Sequence, residues 1–464
     1  MNGDNYIDIF KLNDMDNYIE YLLKPVQNIL NQIINKHYSI EDLVQQKEKI
    51  VKNPEIMNLH LVEIFYKLYK KANKEILTLP VFHTQSIEVI IDYYIKKIII
   101  NQEPFFIINL SDIQHKYNQW KILFPMIKPH FAVKSNPDKK IISLLLSLGC
   151  NFDCASIDEI RRVLKLGGQP SQIIYANPVK SIEYLLFAKE HNIDLMTFDS
   201  IEELYKIKKY YNHAKIILRI KTNDIHSSSK LSFKFGMEIN EVENAIDICL
   251  KLDLNLVGVS FHVGSNSVDV NAYITALEDC RNIFDMAYNK NILLHILDIG
   301  GGFTYETAVQ YHNIINNKID NLFLKNKKYK QITIISEPGR YFVETSHTLI
   351  LNIIGKKLSS ESNSGIIKYY LNDGIYGCLN NIERDNAKII IKSLSIKNSS
   401  LKQSIFFGPT CDSYDTIANN ILFPDSDVND WLYINKMGAY TRAGSSKFNG
   451  FKSPIIYYYY DSLQ

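Results

Sequence analysis

Lys134 closes the run Phe-Ala-Val-Lys at residues 131–134, in which only the lysine can ionise. An amine placed there is expected to be partly desolvated, and desolvation lowers an ammonium pKa toward the range in which it condenses with carbonyls. Gly300, Gly301 and Gly302 are consecutive, and Glu337 is followed by Pro338, Gly339 and Arg340. Bare glycine N–H groups approach an anion closely and a guanidinium adds a bidentate contact, so a bound phosphate is expected. A phosphate beside a desolvated lysine suggests pyridoxal phosphate. Asp153, Asn177, Asp199, Arg219 and His262 each stand near the end of a short apolar run. A tight turn or a surface lysine explains any one of these features alone, whereas their agreement points to one site.

These residues need elements that bring them together. Eight strand-like runs begin at His130, Asn151, Ile173, Leu195, Lys215, Leu256, Ile296 and Ile332. Between them lie stretches such as SIDEIRRVLKLGG, whose apolar residues recur at three and four and whose Ser or Asp entries read as helix caps. Eight strand-then-helix units predict a (β/α)8 barrel over residues 110–345, with the polar residues at the rim where such barrels build their sites. The competing doubly wound sheet puts its phosphate glycines after the first strand, and here they follow the seventh. From residue 346 to 464 strand-like runs dominate and predict a mostly β domain, joined by PFFIINL from the stretch 81–109. Residues 1–80 have amphipathic helical spacing and read as a helical extension.

Composition narrows the function class. Hydrophobic residues make up 46% and the formal net charge is +2 over 464 residues, which gives no sign of a nucleic-acid or membrane-surface partner. No apolar run approaches a membrane span and the first residues carry acids where a signal peptide is basic, so a cytoplasmic protein is expected. Six cysteines without C-x-x-C pairs signal neither a disulfide framework nor a metal site.

The motifs FAVKSN, FDCAS, IIYANP, LMTFDS, GVSFHVGS, LDIGGGF, EPGRY, NDGIYG, GPTCDSYD, MGAYT and FNGF occur in this order between residues 131 and 451. In this the chain resembles the eukaryotic ornithine decarboxylases, pyridoxal-phosphate enzymes with an alanine-racemase-like barrel and a C-terminal β domain. The resemblance implies decarboxylation of L-ornithine to putrescine and CO2, the first step of polyamine biosynthesis, by a head-to-tail homodimer. It makes Lys134 the cofactor's anchor, Glu337 the partner of the ring nitrogen and His262 the residue stacked on the ring. Ser265, Gly300, Gly301, Gly302, Pro338, Gly339, Arg340 and Tyr440 would surround the phosphate. Asp153 and Glu159 would lie near the cofactor and Lys134, with Arg219 ordering Glu337. Cys411 matches the acid that returns a proton to Cα, Phe448 the wall near the leaving carboxylate, and Asp385 and Asp412 the acceptors of the substrate's distal ammonium. Cys411 and Asp412 would reach the partner subunit's site, and Lys234 with Asp415 matches an ion pair across that boundary. One departure is Arg384, where the family commonly has Tyr; it either pairs with Asp385 or points to solvent. The alternatives are a lysine or arginine decarboxylase of the same family, or an inactive regulatory homologue like the antizyme inhibitors. Antizyme is a possible partner, and after IIYYYYDSLQ the degradation tail of animal relatives is not expected.

Overall fold

Short runs of β-branched residues bury their side chains on both faces when neighbours lie alongside them, and here eight of them close into a ring. The structure is a computed structural model describing residues 79–83, 86–97, 102–358, 365–394 and 400–462. The helical extension expected over 1–80 falls outside these residues but for its last two. Strands β1 (Val81–Phe82) and β2 (Phe105–Asn109) come first. The barrel strands are β3 (Ile127–Ala132), β4 (Asn151–Cys154), β5 (Ile173–Tyr175), β6 (Leu195–Phe198) and β7 (Lys215–Ile220), followed after a rim strand β8 (Ser227–Ser229) by β9 (Asn255–Phe261). A second rim strand β10 (Ser265–Ser267) precedes β11 (Ile296–Asp298) and β12 (Thr333–Ser336). Neighbours are parallel throughout and β12 pairs back onto β3, which excludes an open doubly wound sheet.

Ile174, Ala176, Ile217, Val257 and Ile335 fill the barrel interior. Strand side chains alternate with a period of two, so Arg219 and Glu337, two residues beyond Ile217 and Ile335, turn inward at the carboxyl rim. The intervening helices begin as the sequence suggests, with Asp138, Ser156, Ser181, Ser200, Asp269 and Thr304 accepting free N–H groups of the first turn.

The second layer is a sheet whose spine is β13 (His347–Leu358), paired with β2, with β14 (Ile367–Leu371) and with β18 (Trp431–Asn435). It is completed by β15 (Lys392–Ser393), β16 (Leu401–Phe407), β17 (Thr416–Pro424) and β19 (Ile455–Asp461). PFFIINL does join this sheet, with β2 lying between β19 and β13. The stretch 81–109 is not all strand, however: Ile87–Lys97 is a helix. Its Ile and Tyr content favours strand, but Ile90, Ile91 and Tyr94 fall on one helical face and bury against Phe105, Ile107 and Tyr459.

Barrel and sheet are stitched at the rim. Asn136 Nδ2 lies 2.9 Å from His347 Nε2 and donates to the Gly438 carbonyl at 2.8 Å, while Tyr458 Oη donates to Asp138 at 2.7 Å. Trp120 of the helix Leu110–Leu123 is fully buried among Phe124, Phe303, Tyr341 and Phe342, with its indole N–H on the Ile127 carbonyl at 2.9 Å.

Candidate active site

Strand β3 stops at Ala132, and the chain tightens into a single turn, Val133–Ser135, so Lys134 projects from the turn rather than from the strand. Ala132 N–H donates to the Pro338 carbonyl at 3.2 Å, which locks this turn to the segment after β12. Lys134 Nζ lies 2.7 Å from Asp153 Oδ2, and Asp153 is fully buried. The expected depression of the lysine pKa is reversed. Burial does disfavour the ammonium, but the carboxylates of Asp153 and Glu337 outweigh it and hold the amine above the usual lysine range.

Glu337 faces a second buried carboxyl. Burial and the nearby Asp298 push Glu337 well above the usual carboxylate range, and burial raises Asp298 to about 6. Two such groups in contact titrate as a pair. Asp298 Oδ1 accepts the Gly300 N–H at 2.9 Å, and its Oδ2 is buried without a donor from the chain. His262 is neutral, because burial and the charges of Arg219 and Lys134 hold it well below its usual range. Its Nδ1 accepts the Gly264 N–H at 3.0 Å, which leaves the proton on Nε2. A Cβ on Gly301 would meet the Glu337 carbonyl at 2.6 Å and His262 Nε2 at 3.0 Å, so only glycine leaves this floor open. Arg219 stacks over Phe235 with its Cζ 5.1 Å from the ring centroid, and among the described residues it makes no ion pair with Glu337. Any ordering of Glu337 by Arg219 is therefore indirect. Glu159 accepts the Ala155 N–H at 2.6 Å and so fixes the end of the strand that carries Asp153.

The anion pole lies beyond. Arg340 bonds Glu344 at 2.9 Å, approaches Ser265 Oγ at 3.4 Å and stands over the Tyr440 ring at 5.3 Å. Tyr440 adopts a φ of +58°, strain of the kind that surrounding structure must sustain. Among the described residues the N–H groups of Gly301, Gly302 and Gly339 donate to no acceptor of the chain. Asp385 is found here: it pairs with Arg340 at 2.8 Å and accepts Ser229 Oγ at 2.8 Å, so in the single chain it is engaged at the anion pole rather than free for a distal ammonium. Arg384 is exposed and forms no ion pair with Asp385, which resolves the two readings in favour of solvent.

Cys411, Asp412 and Phe448 form a separate group on the β domain, and among the described residues none of them bonds to the Lys134 cluster. Tyr376, which the sequence reading passed over within NDGIYG, donates its hydroxyl to Asp412, and its ring lies 4.6 Å from Phe448. That hydrogen bond and the Tyr414 N–H hold Asp412 below the usual carboxylate range. Cys411 is exposed, with its N–H on Asn449 Oδ1 at 3.0 Å. Asp415, 1% exposed, accepts Ile375 N–H at 2.9 Å and the Thr410 hydroxyl at 2.7 Å, which ties the GPTCD and NDGIYG loops together. Lys234 is exposed.

The pyridoxal-binding domain of the pyridoxal-dependent decarboxylases matches residues 110–344. The ornithine decarboxylase of Schizosaccharomyces pombe is 40% identical over 77% of this chain and 84% of its own length, and the antizyme inhibitor 2 of Xenopus laevis is 38% identical over 77% and 81%. Among solved structures, the arginine decarboxylase of Paramecium bursaria Chlorella virus superposes with a TM-score of 0.77 at 33% identity, covering 80% of this chain and all of that one. The chain belongs to the ornithine decarboxylase family of pyridoxal-dependent decarboxylases. Its cofactor is pyridoxal phosphate.

The residues present suit that group. Unused N–H donors beside Arg340 and Ser265 form an anion cradle, a carboxyl and a neutral imidazole frame an open glycine floor, and Asp153 Oδ1 and Asp298 Oδ2 are buried acceptors without donors. Asp298, like Tyr376, escaped the sequence reading: in LDIGGG the glycines carried the phosphate argument, and the acid before them was not singled out.

Proposed function

We propose that this decarboxylase acts on L-ornithine, releasing CO2 and putrescine at the head of polyamine biosynthesis, as a homodimer with shared sites. The observation that carries this reading is the division of the machinery within one chain: the cofactor residues line the barrel rim, and the proposed acid Cys411 with its ionised neighbour Asp412 stands exposed and apart. A second copy of the β domain would complete the rim. Exposed large side chains fit such a contact, among them Phe448 beside Cys411 and the wholly exposed Phe233 next to Lys234.

In this reading Lys134 would hold the cofactor through its carbonyl. Bound there, pyridoxal phosphate supplies a sink for the electron pair left when CO2 departs. Phe448 and Tyr376 exclude water where the carboxylate leaves, Cys411 Sγ returns a proton to Cα, and Asp412 receives the distal ammonium. An inactive regulatory role is disfavoured because Lys134, Asp153, His262, Glu337, Arg340 and Cys411 are all retained. Cytoplasmic residence agrees with six unpaired cysteines.

CO2 release from L-ornithine, L-lysine and L-arginine, with and without added pyridoxal phosphate, tests the assignment. Ornithine should dominate and depend on the cofactor, and dominant release from arginine or lysine would overturn the choice of substrate.

A further inference from the structure

Asp298 belongs to a row that the barrel register brings level, with Arg219 on β7 opposite Ser260 on β9 and Ser260 opposite Asp298 on β11. Its side chain is wholly buried, one oxygen takes the Gly300 N–H, and the other has no donor. Ser260 Oγ beside it is also buried without a partner. Gly300 passes this constraint on, because its carbonyl accepts the Glu337 N–H at 2.7 Å and the Ser336 hydroxyl at 2.6 Å. One carboxylate thus fixes the turn on which Glu337 is mounted. A buried acceptor without a donor is costly, and a protonated Glu337 in contact with it supplies one.

We propose that Asp298 is a positioning residue that keeps one proton shared with Glu337 until the cofactor's ring occupies the site. The inference rests on Glu337 facing the ring nitrogen. When the ring binds, the O–H bond of the shared proton breaks and its electron pair stays on the carboxylate. The proton passes to the ring nitrogen if that nitrogen arrives bare, or to water if it arrives protonated. The other charged and titratable groups facing the pair are Asp153 and Lys134 at the ends of β4 and β3, Arg219 on β7, His262 after β9 and Cys280 from the helix Val270–Asn289. Lys134 and Arg219 favour ionisation of the pair, Asp153 opposes it, and burial decides for one retained proton.

The test uses apoprotein and pyridoxamine 5′-phosphate, which cannot condense with Lys134, labelled with 15N in the ring. Calorimetry in buffers of differing ionisation heat gives net proton exchange on binding, and the 15N shift gives the ring's protonation before and after. The change in the ligand's protonation, summed over ring, amine and phosphate with the amine read by a second 15N label and the phosphate by its 31P shift, minus net uptake is the number of protons the protein surrenders. Wild type should surrender about one, and Asp298→Asn, which keeps the burial of Glu337 but removes the charge that opposes its ionisation, should surrender measurably fewer. Equal counts in the two proteins would overturn the proposal. Should the variant fail to fold, a count near zero in wild type alone would do the same. Glu337→Gln separates the underlying reading: it should leave the bound ring unprotonated, and a ring still protonated there would remove Glu337 from the nitrogen and the inference with it.

Discussion

At the level of single side chains, the chemistry turns on which groups hold protons. Among the described residues Lys134 is the only lysine in the Asp153–Glu337–His262 cluster, so Lys134→Ala should abolish both the yellow absorption of bound cofactor and nearly all turnover; retention of both would require another anchor. The amine condenses only when neutral, yet the adjacent Asp153 carboxylate holds it charged. Assembly of active enzyme from apoprotein and cofactor should therefore accelerate as pH rises. Asp153→Asn removes the strongest of the charges that raise the amine, and the same acceleration should appear at lower pH. Stopped-flow absorbance reads both profiles, and coincident curves would refute the role of Asp153. Lys134 was legible because an ionisable group in FAVK is conspicuous. The sign of its pKa shift was not, since its cause stands 19 residues away and reaches it only through strand pairing of Ala132 with Asp153.

Among the elements, the eight barrel strands and their capped helices were legible because each is specified locally, by a short apolar run that buries both faces and a Ser or Asp at the next helix entry. The helix Ile87–Lys97 was not, because its composition and its spacing point in opposite directions and spacing prevails only once β2 and β19 supply a face to bury against. The seam between the two layers has a measurable consequence. His347 lies between Asn136 and Ser346, and burial holds its pKa down to about 4; buried His130 on β3 is held down to about 4 as well. Both stay neutral in the folded chain while the unfolded chain takes up protons below its ordinary value of 6.5. Stability is therefore complete above that pH and declines as pH falls toward 4, by on the order of 3 kcal/mol for each histidine. Chemical denaturation at steps through this interval should show the decline. His347→Gln should flatten it, and an unchanged slope in the variant would assign the acid sensitivity elsewhere.

For the whole molecule, the sequence motifs named Cys411 and Asp412 as site residues, but nothing in one chain's pattern brings them to Lys134, and the folded chain keeps the two groups apart. If they meet across a dimer, each site takes its lysine from one subunit and its acid from the other. Lys134→Ala and Cys411→Ala proteins, each close to inactive, should then complement when mixed. Random exchange puts about half of the dimers in mixed form, each with one intact and one doubly damaged site, so equal amounts should recover about a quarter of wild-type activity. A fluorescent label on one protein, followed by energy transfer to the other, establishes exchange independently. An ion pair of Lys234 with Asp415 across such a boundary would add little to the assembly, because Asp415 is already bonded to Ile375 and Thr410 of its own chain, and freeing it would leave those groups unsatisfied. Exchange without recovered activity would place Cys411 in the site of its own subunit and sink the shared arrangement.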